Sequence, residues 1–166
     1  MNVAADLPVT CMDWADIEGQ VRRIADGVER DGLPQAIVTV LRGGGTPAVW
    51  LSHLLGVRDF RAITITHTLD DSPHAPKGVQ PAALDVAGLG DLSGLDVLLV
   101  DDVAGSGDTL AAAVRLVTEA GASRVRSAVC VVNEDNWTGG LPPAAVVTYI
   151  GTLIRGWVVF PWEGKQ

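Results

Sequence analysis

Val97-Leu98-Leu99-Val100-Asp101-Asp102-Val103-Ala104-Gly105-Ser106-Gly107-Asp108-Thr109-Leu110 decides how this chain is read. The apolar run Val97–Val100 predicts a buried parallel strand, and it ends in two adjacent carboxylates. Asp101 and Asp102 then stand at a strand's carboxyl end, where open α/β sheets place their ligands. Gly105, Ser106, Gly107 and Thr109 follow at once and lead into a helix whose Leu110, Ala113, Val114 and Val117 share one face. Closely spaced backbone N–H groups and hydroxyls at a helix N-terminus make a cradle for a phosphate. Beside paired carboxylates, such a cradle fits a sugar phosphate held at both ends. This is a signature of nucleotide chemistry.

Upstream, Trp14, Ile17, Val21, Ile24 and Val28 recur at spacings of three and four and predict a helix from about Asp13 to Arg30, with Trp14 in the core stripe. Ala36–Leu41 reads as a strand, followed by the turn Arg42-Gly43-Gly44-Gly45-Thr46-Pro47 and a second helix carrying Ala48, Leu51, Leu54 and Leu55. Phe60–Thr66 reads as another strand. The stretch behind it holds several prolines and glycines without a sustained period, as expected of a functional loop. Further strands are predicted at Val125–Val132 and Ala145–Tyr149, and the chain closes on the aromatic segment Gly156–Glu163. Strands alternating with helices predict an α/β fold with a mostly parallel twisted sheet in a single domain spanning residues 1–166.

The bulk properties narrow the classes. Hydrophobic residues make up 48% of the chain, which argues for a packed core and against disorder. Twenty acidic residues against 12 basic ones leave a net charge of −8, which disfavours a broad nucleic-acid-binding face. Two cysteines, Cys11 and Cys130, are too few for a disulfide framework, and charge or glycine interrupts every long apolar stretch. The expectation is a soluble cytoplasmic protein with neither nucleic acid nor membrane as a partner. No Gly-Lys-Ser/Thr follows the glycines, which removes a P-loop reading.

With these residues in view, the chain resembles the type I phosphoribosyltransferases over nearly its whole length. The segment Leu98–Leu110 is similar to the family's phosphoribosyl-pyrophosphate motif, and Leu41-Arg42-Gly43-Gly44 resembles its pyrophosphate loop. Residues 67–92 resemble its flexible catalytic loop. Residues 150–166, ending Trp157-Val158-Val159-Phe160-Pro161-Trp162-Glu163, resemble the C-terminal base-binding hood of xanthine-guanine and hypoxanthine-guanine members. The resemblance implies displacement of pyrophosphate from phosphoribosyl pyrophosphate by a nitrogenous base, with Mg²⁺ as cofactor and a homodimer as the assembly. By the same resemblance, Asp101 and Asp102 hold the ribose hydroxyls and support Mg²⁺. Ala104, Gly105, Ser106, Gly107, Asp108 and Thr109 would wrap the 5′-phosphate. Arg42, Gly43 and Gly44 would meet the pyrophosphate, at a place where family members often hold a non-proline cis peptide. Lys77 would close over the pyrophosphate from the loop. Trp157 would stack on the base, the Val158 carbonyl would accept from a base amino group, and Asn133 would read an amide edge.

Two positions depart from 6-oxopurine members of that family. Gly105 stands where they carry an aspartate that assists proton transfer, and a general acid–base group typically contributes about 10²–10⁴ in rate. No lysine occurs near Val131-Val132-Asn133, where purine members bind the 6-oxo group. Transfer to a purine-like base with altered specificity is therefore expected. The alternative is a protein that binds phosphoribosyl pyrophosphate or a nucleotide as a sensor, without turnover.

Overall fold

A computed structural model describes residues 8–68 and 77–164, with side chains described except at 67, 68 and 77–80. The elements in chain order are β1 (Val9–Cys11), α1 (Trp14–Asp31), β2 (Ala36–Leu41), α2 (Gly45–Leu55), β3 (Phe60–Thr68) and β4 (Lys77–Asp85). After a 3₁₀ turn at Ala87–Leu89 come β5 (Asp96–Ala104), α3 (Asp108–Glu119), β6 (Arg124–Asn133), α4 (Pro143–Val146), β7 (Tyr149–Ile154) and β8 (Trp157–Val159).

Six strands form one sheet in the order β4-β3-β2-β5-β6-β7, parallel except for β4. Strands β5 and β6 are buried almost end to end, because helices cover both faces. Ile17, Val21, Ile24 and Val28 of α1 join Ala48 and Leu51 of α2 on one face, and Leu110, Ala113 and Val117 of α3 pack on the other. Helix α1 begins at a capping box: Asp13 accepts from the Asp16 N–H and Asp16 accepts from the Asp13 N–H. No helix among the described residues is long and apolar enough to cross a membrane.

Four expectations need correction. Trp14 is half exposed, and its ring leans on Trp162 with centroids 6.1 Å apart, because the buried stripe starts at Ile17. The stretch expected to be irregular contains β4, an edge strand that pairs antiparallel with β3 through interrupted register. Residues 69–76 of that expected loop lie outside the described residues. Ala145 and Val146 belong to the short helix α4, started by Pro143, and β7 begins only at Tyr149. Finally, Asp101 and Asp102 lie within β5 rather than beyond it, because pairing with β6 continues to Ala104.

A second, two-stranded sheet is formed by β1 and β8, paired in parallel from Val9↔Trp157 to Cys11↔Val159. It stands where the base-binding hood was expected, and a segment early in the chain pairs with one late in it.

Candidate active site

Pairing of β5 with β2 stops at Thr39↔Val100, whereas pairing with β6 runs on to Ala104↔Val132. From β2 the chain goes outward to β3, and from β5 it goes outward to β6 in the opposite direction. The order therefore reverses between β2 and β5, and a crevice opens there at the carboxyl ends of both strands. Asp101 and Asp102 occupy this seam.

The loop after β2 lies flat against them. The Leu41–Arg42 peptide bond is cis. A Cβ on Gly43 would collide with the Asp102 carboxylate, and one on Gly44 would come within 2.6 Å of Val40 O and 2.8 Å of Val100 O. Glycine is needed at both positions for the loop to approach so closely.

The two carboxylates differ in exposure, Asp102 being the half-buried one. Asp101 is buried, and its Oδ1 accepts from the Asp102 N–H at 2.9 Å. Burial pushes its pKa well up, and the charge of Asp102 adds to this. Asp102 accepts from the Val103 N–H at 2.7 Å. Burial raises its pKa to about 6, against stabilising hydrogen bonds, and repulsion from Glu163 adds to the rise. The Cys130 thiol beneath the pair is pushed up to about 12, chiefly by burial and then by both aspartates.

Past Ala104 the glycine-rich turn leads into α3. Gly107 takes φ +87°, which favours glycine, and the Ala111 N–H makes the first intrahelical bond to Gly107 O. The N–H groups of Thr109 and Leu110 precede that bond and point along the open helix end. Ser106 Oγ donates to Asp108 Oδ2 at 2.8 Å and accepts from the Asp108 N–H at 3.4 Å, so these two residues tie the turn. A Cβ at Gly107 would stand 3.1 Å from the Trp137 ring, which rides over the turn and donates its indole N–H to Leu141 O.

A cavity of about 230 Å³ opens beside this turn, running from Gly105 and Thr109 to Asn136, Trp157, Val158 and Glu163. Strand β8 presents the last two hood residues of the predicted set. The Trp157 N–H donates to Pro8 O at 2.8 Å, and Val159 O accepts from the Met12 N–H at 2.9 Å. A parallel ladder engages alternate residues of a strand, so Val158 turns its own N–H and C=O away from β1.

Arg42, Gly43, Gly44, Asp101, Asp102, the turn from Ala104 to Thr109, Asn133, Trp157 and Val158 thus gather around one crevice and its cavity. The backbone of Lys77 instead starts β4 on the outer edge of the sheet, opposite Thr68, and its side chain lies outside the described residues. Sequence reasoning assigned no role to three residues. Glu163 lines the cavity and holds the Phe160 N–H at 2.9 Å. Asn136 shares the same wall, and Phe160 stacks on Trp162 with ring centroids 4.6 Å apart. The Pro161-Trp162-Glu163 ending was the available signal for the first of these.

The model of the phosphoribosyl transferase domain matches residues 12–164. The chain belongs to the phosphoribosyl transferase family. Among solved members of this fold, a purine phosphoribosyltransferase from Pyrococcus horikoshii Ot3 superposes with a TM-score of 0.76 at 27% identity, over 95% of this chain and 96% of that one. A hypothetical protein from Neisseria gonorrhoeae, solved with bound ppGpp, gives 0.78 at 20% identity, over 95% and 90%. The xanthine-guanine-hypoxanthine phosphoribosyltransferase of Helicobacter pylori gives 0.64 at 19%, over 94% of each chain. None of the curated proteins matches in sequence. Within the phosphoribosyl transferase family, this chain is of the type I class, with a mixed, mostly parallel sheet and a small C-terminal extension.

Proposed function

We propose that the protein transfers the 5-phosphoribosyl group of phosphoribosyl pyrophosphate to a purine-like nitrogenous base whose recognition differs from that of ordinary 6-oxopurine enzymes. One observation carries this reading: the Gly105–Thr109 turn and Trp157 line one cavity, and the Asp101–Asp102 pair directly precedes that turn at the β2–β5 seam. In the reaction the bond from C1 to the pyrophosphate oxygen breaks, a C1–N bond to the base forms, and the base gives up a proton.

The chain's own groups divide the work. Backbone N–H groups of Thr109 and Leu110 hold the 5′-phosphate, with the Thr109 hydroxyl beside them. Asp101 and Asp102 accept from ribose hydroxyls. Arg42, with the Gly43 and Gly44 backbone, meets the pyrophosphate and favours charge developing there. Trp157 stacks on the base, and the Val158 carbonyl takes a donor from its edge. Gly105 supplies no proton acceptor, so the proton leaves to water or to Glu163 on the cavity wall.

The donor set suits Mg²⁺. Two carboxylate-bearing residues with raised pKa values gain from a cation, and no group of three His, Cys, Asp or Glu side chains among the described residues could cage an ion by itself. Mg²⁺ commonly takes one or two carboxylates and completes its shell with substrate oxygens and water. When bound it supplies neutralisation of the leaving pyrophosphate's charge. A homodimer is part of the proposal, consistent with the exposed Val49 and Leu54 of α2.

The test is pyrophosphate release from phosphoribosyl pyrophosphate and Mg²⁺ across guanine, hypoxanthine, xanthine, adenine, uracil, orotate and small heteroaromatic amides. Release that depends on a purine or a purine-like amide supports the proposal. Tight binding of phosphoribosyl pyrophosphate with no turnover on any base would replace it with the sensor reading, to which the missing side chain at Gly105 also lends itself.

A further inference from the structure

Asn133 is the last residue of β6 and nearly fully buried, and its amide is turned to the hood backbone. Its Nδ2 donates to Gly156 O, and its Oδ1 accepts from the Asp135 N–H at 3.1 Å. Asp135 in turn accepts from the Gly156 N–H through Oδ2 at 2.9 Å. Gly156 is thereby held at both its N–H and its C=O by side chains from the end of β6. Its φ is +83°, and a Cβ there would run into Pro8 O, the same oxygen that receives the Trp157 N–H. The peptide group joining Gly156 to Trp157 is therefore fixed on both sides, its C=O by Asn133 and its N–H by Pro8.

We infer that Asn133 and Asp135 are positioning residues that orient the Trp157 ring through Gly156, and that Asn133 acts on base capture without reading the base edge itself. The inference rests on the proposed stacking role of Trp157. It reassigns Asn133 from base contact to hood anchoring. One Nδ2 hydrogen and one Oδ1 lone pair of Asn133 are committed to backbone, which fixes the plane of the amide against the hood although the side chain also lines the cavity. Leaving Gly156 O without its buried donor loosens the peptide that sets the ring, and a stacking surface contributes only when its plane is held.

Two ligands separate the effects. Ribose 5-phosphate fills the phosphate turn and the carboxylates alone, whereas inosine 5′-monophosphate adds a purine over Trp157. In Asn133→Ala, calorimetry should show about a tenfold loss of inosine 5′-monophosphate affinity with ribose 5-phosphate kept within about twofold. In a Trp157→Ala background, the same substitution should cost less than about twofold more, because its route is already gone. Hydrogen exchange at the Trp157 amide should quicken about tenfold in Asn133→Ala. An equal loss in both backgrounds would mean that Asn133 touches the base directly, and unchanged affinity with unchanged exchange would remove the clamp altogether. If the unmodified protein binds inosine 5′-monophosphate no better than ribose 5-phosphate, hypoxanthine is not accepted at the base end, and the amide exchange alone then decides the clamp. Should Asn133→Ala not fold, Asp135→Ala at the exposed loop carries the same measurements, with about a threefold loss expected.

Discussion

At the scale of single residues, Asp102 sets binding against stability. Its pKa is raised from the ordinary 3.8 to about 6 by burial, so the folded chain holds a proton that the unfolded chain has already released. Between about pH 4 and 6 the folded state binds more protons, and stability of the ligand-free protein falls as pH rises through that window. Above about pH 6 the full loss persists. Asp102→Asn removes this contribution and should raise Tm at pH 7 by a few degrees, on a scale of about 2–4 °C per kcal/mol for a domain of this size. The same variant should weaken Mg²⁺-dependent binding of phosphoribosyl pyrophosphate by at least about tenfold, since a charge-assisted acceptor is lost. Thermal melts across the pH range, paired with calorimetry, check both halves. A lower Tm at pH 7 together with intact binding would count against the assignment.

Both aspartates were legible as a carboxylate pair at the carboxyl end of a buried strand, because the apolar run before them marks the strand. Their raised pKa values were not, since burial and the approach of Glu163 depend on chain segments about sixty residues away. Trp14 was misread for a related reason. Helical spacing marks the stripe but not its end, and Trp14 stands in the first turn, where a ring from the hood covers it.

At the scale of elements, the loop after β2 and the end of β5 form one surface. Gly43→Ala places a methyl where the Asp102 carboxylate lies, and overpacking of this kind costs about 1–3 kcal/mol. The expected outcome is a lowered midpoint in urea and at least about tenfold weaker binding of phosphoribosyl pyrophosphate, because relief of the clash displaces either the loop or the carboxylate. Unchanged stability and binding would show that the close approach is not maintained in solution.

Strands β5 and β6 were readable because burial on both faces writes a continuous apolar run. Strand β4 was hidden for the opposite reason. It is an edge strand with Pro81 inside it and Ala82, Ala83 and Leu84 exposed, so no alternation marks it. Ala145 and Val146 are apolar enough for a strand, yet Pro143 starts a turn of helix there.

At the scale of the whole molecule, the cavity wall supplied by β8 depends on its pairing with β1. Strand β1 is the only partner of β8 in the small sheet, and Met12 continues the pairing by donating to Val159 O. A chain beginning at Met12 should keep the six-stranded sheet and bind ribose 5-phosphate within about threefold of the full chain, because the phosphate turn belongs to β5 and α3. Its affinity for inosine 5′-monophosphate should fall about tenfold, as the strand carrying Trp157 loses its ladder. Equal losses for both ligands would show that the hood supports the whole site rather than the base end alone.

The amino-acid sequence by itself determined the layered α/β architecture, the carboxylate pair, the glycine-rich turn and the aromatic ending. Each is a local pattern, set by burial periodicity or by residue types within about a dozen positions of one another. Only the tertiary structure decided that β2 and β5 part at Val100, that Gly43 and Gly44 lie against the aspartates, and that Asn133 and Asp135 grip Gly156. It also decided that the N-terminal strand completes the hood. These are contacts between segments far apart in the chain, made by short polar groups and glycines that carry no periodic signal. Their partners are chosen only when the packed sheet brings the strand ends together.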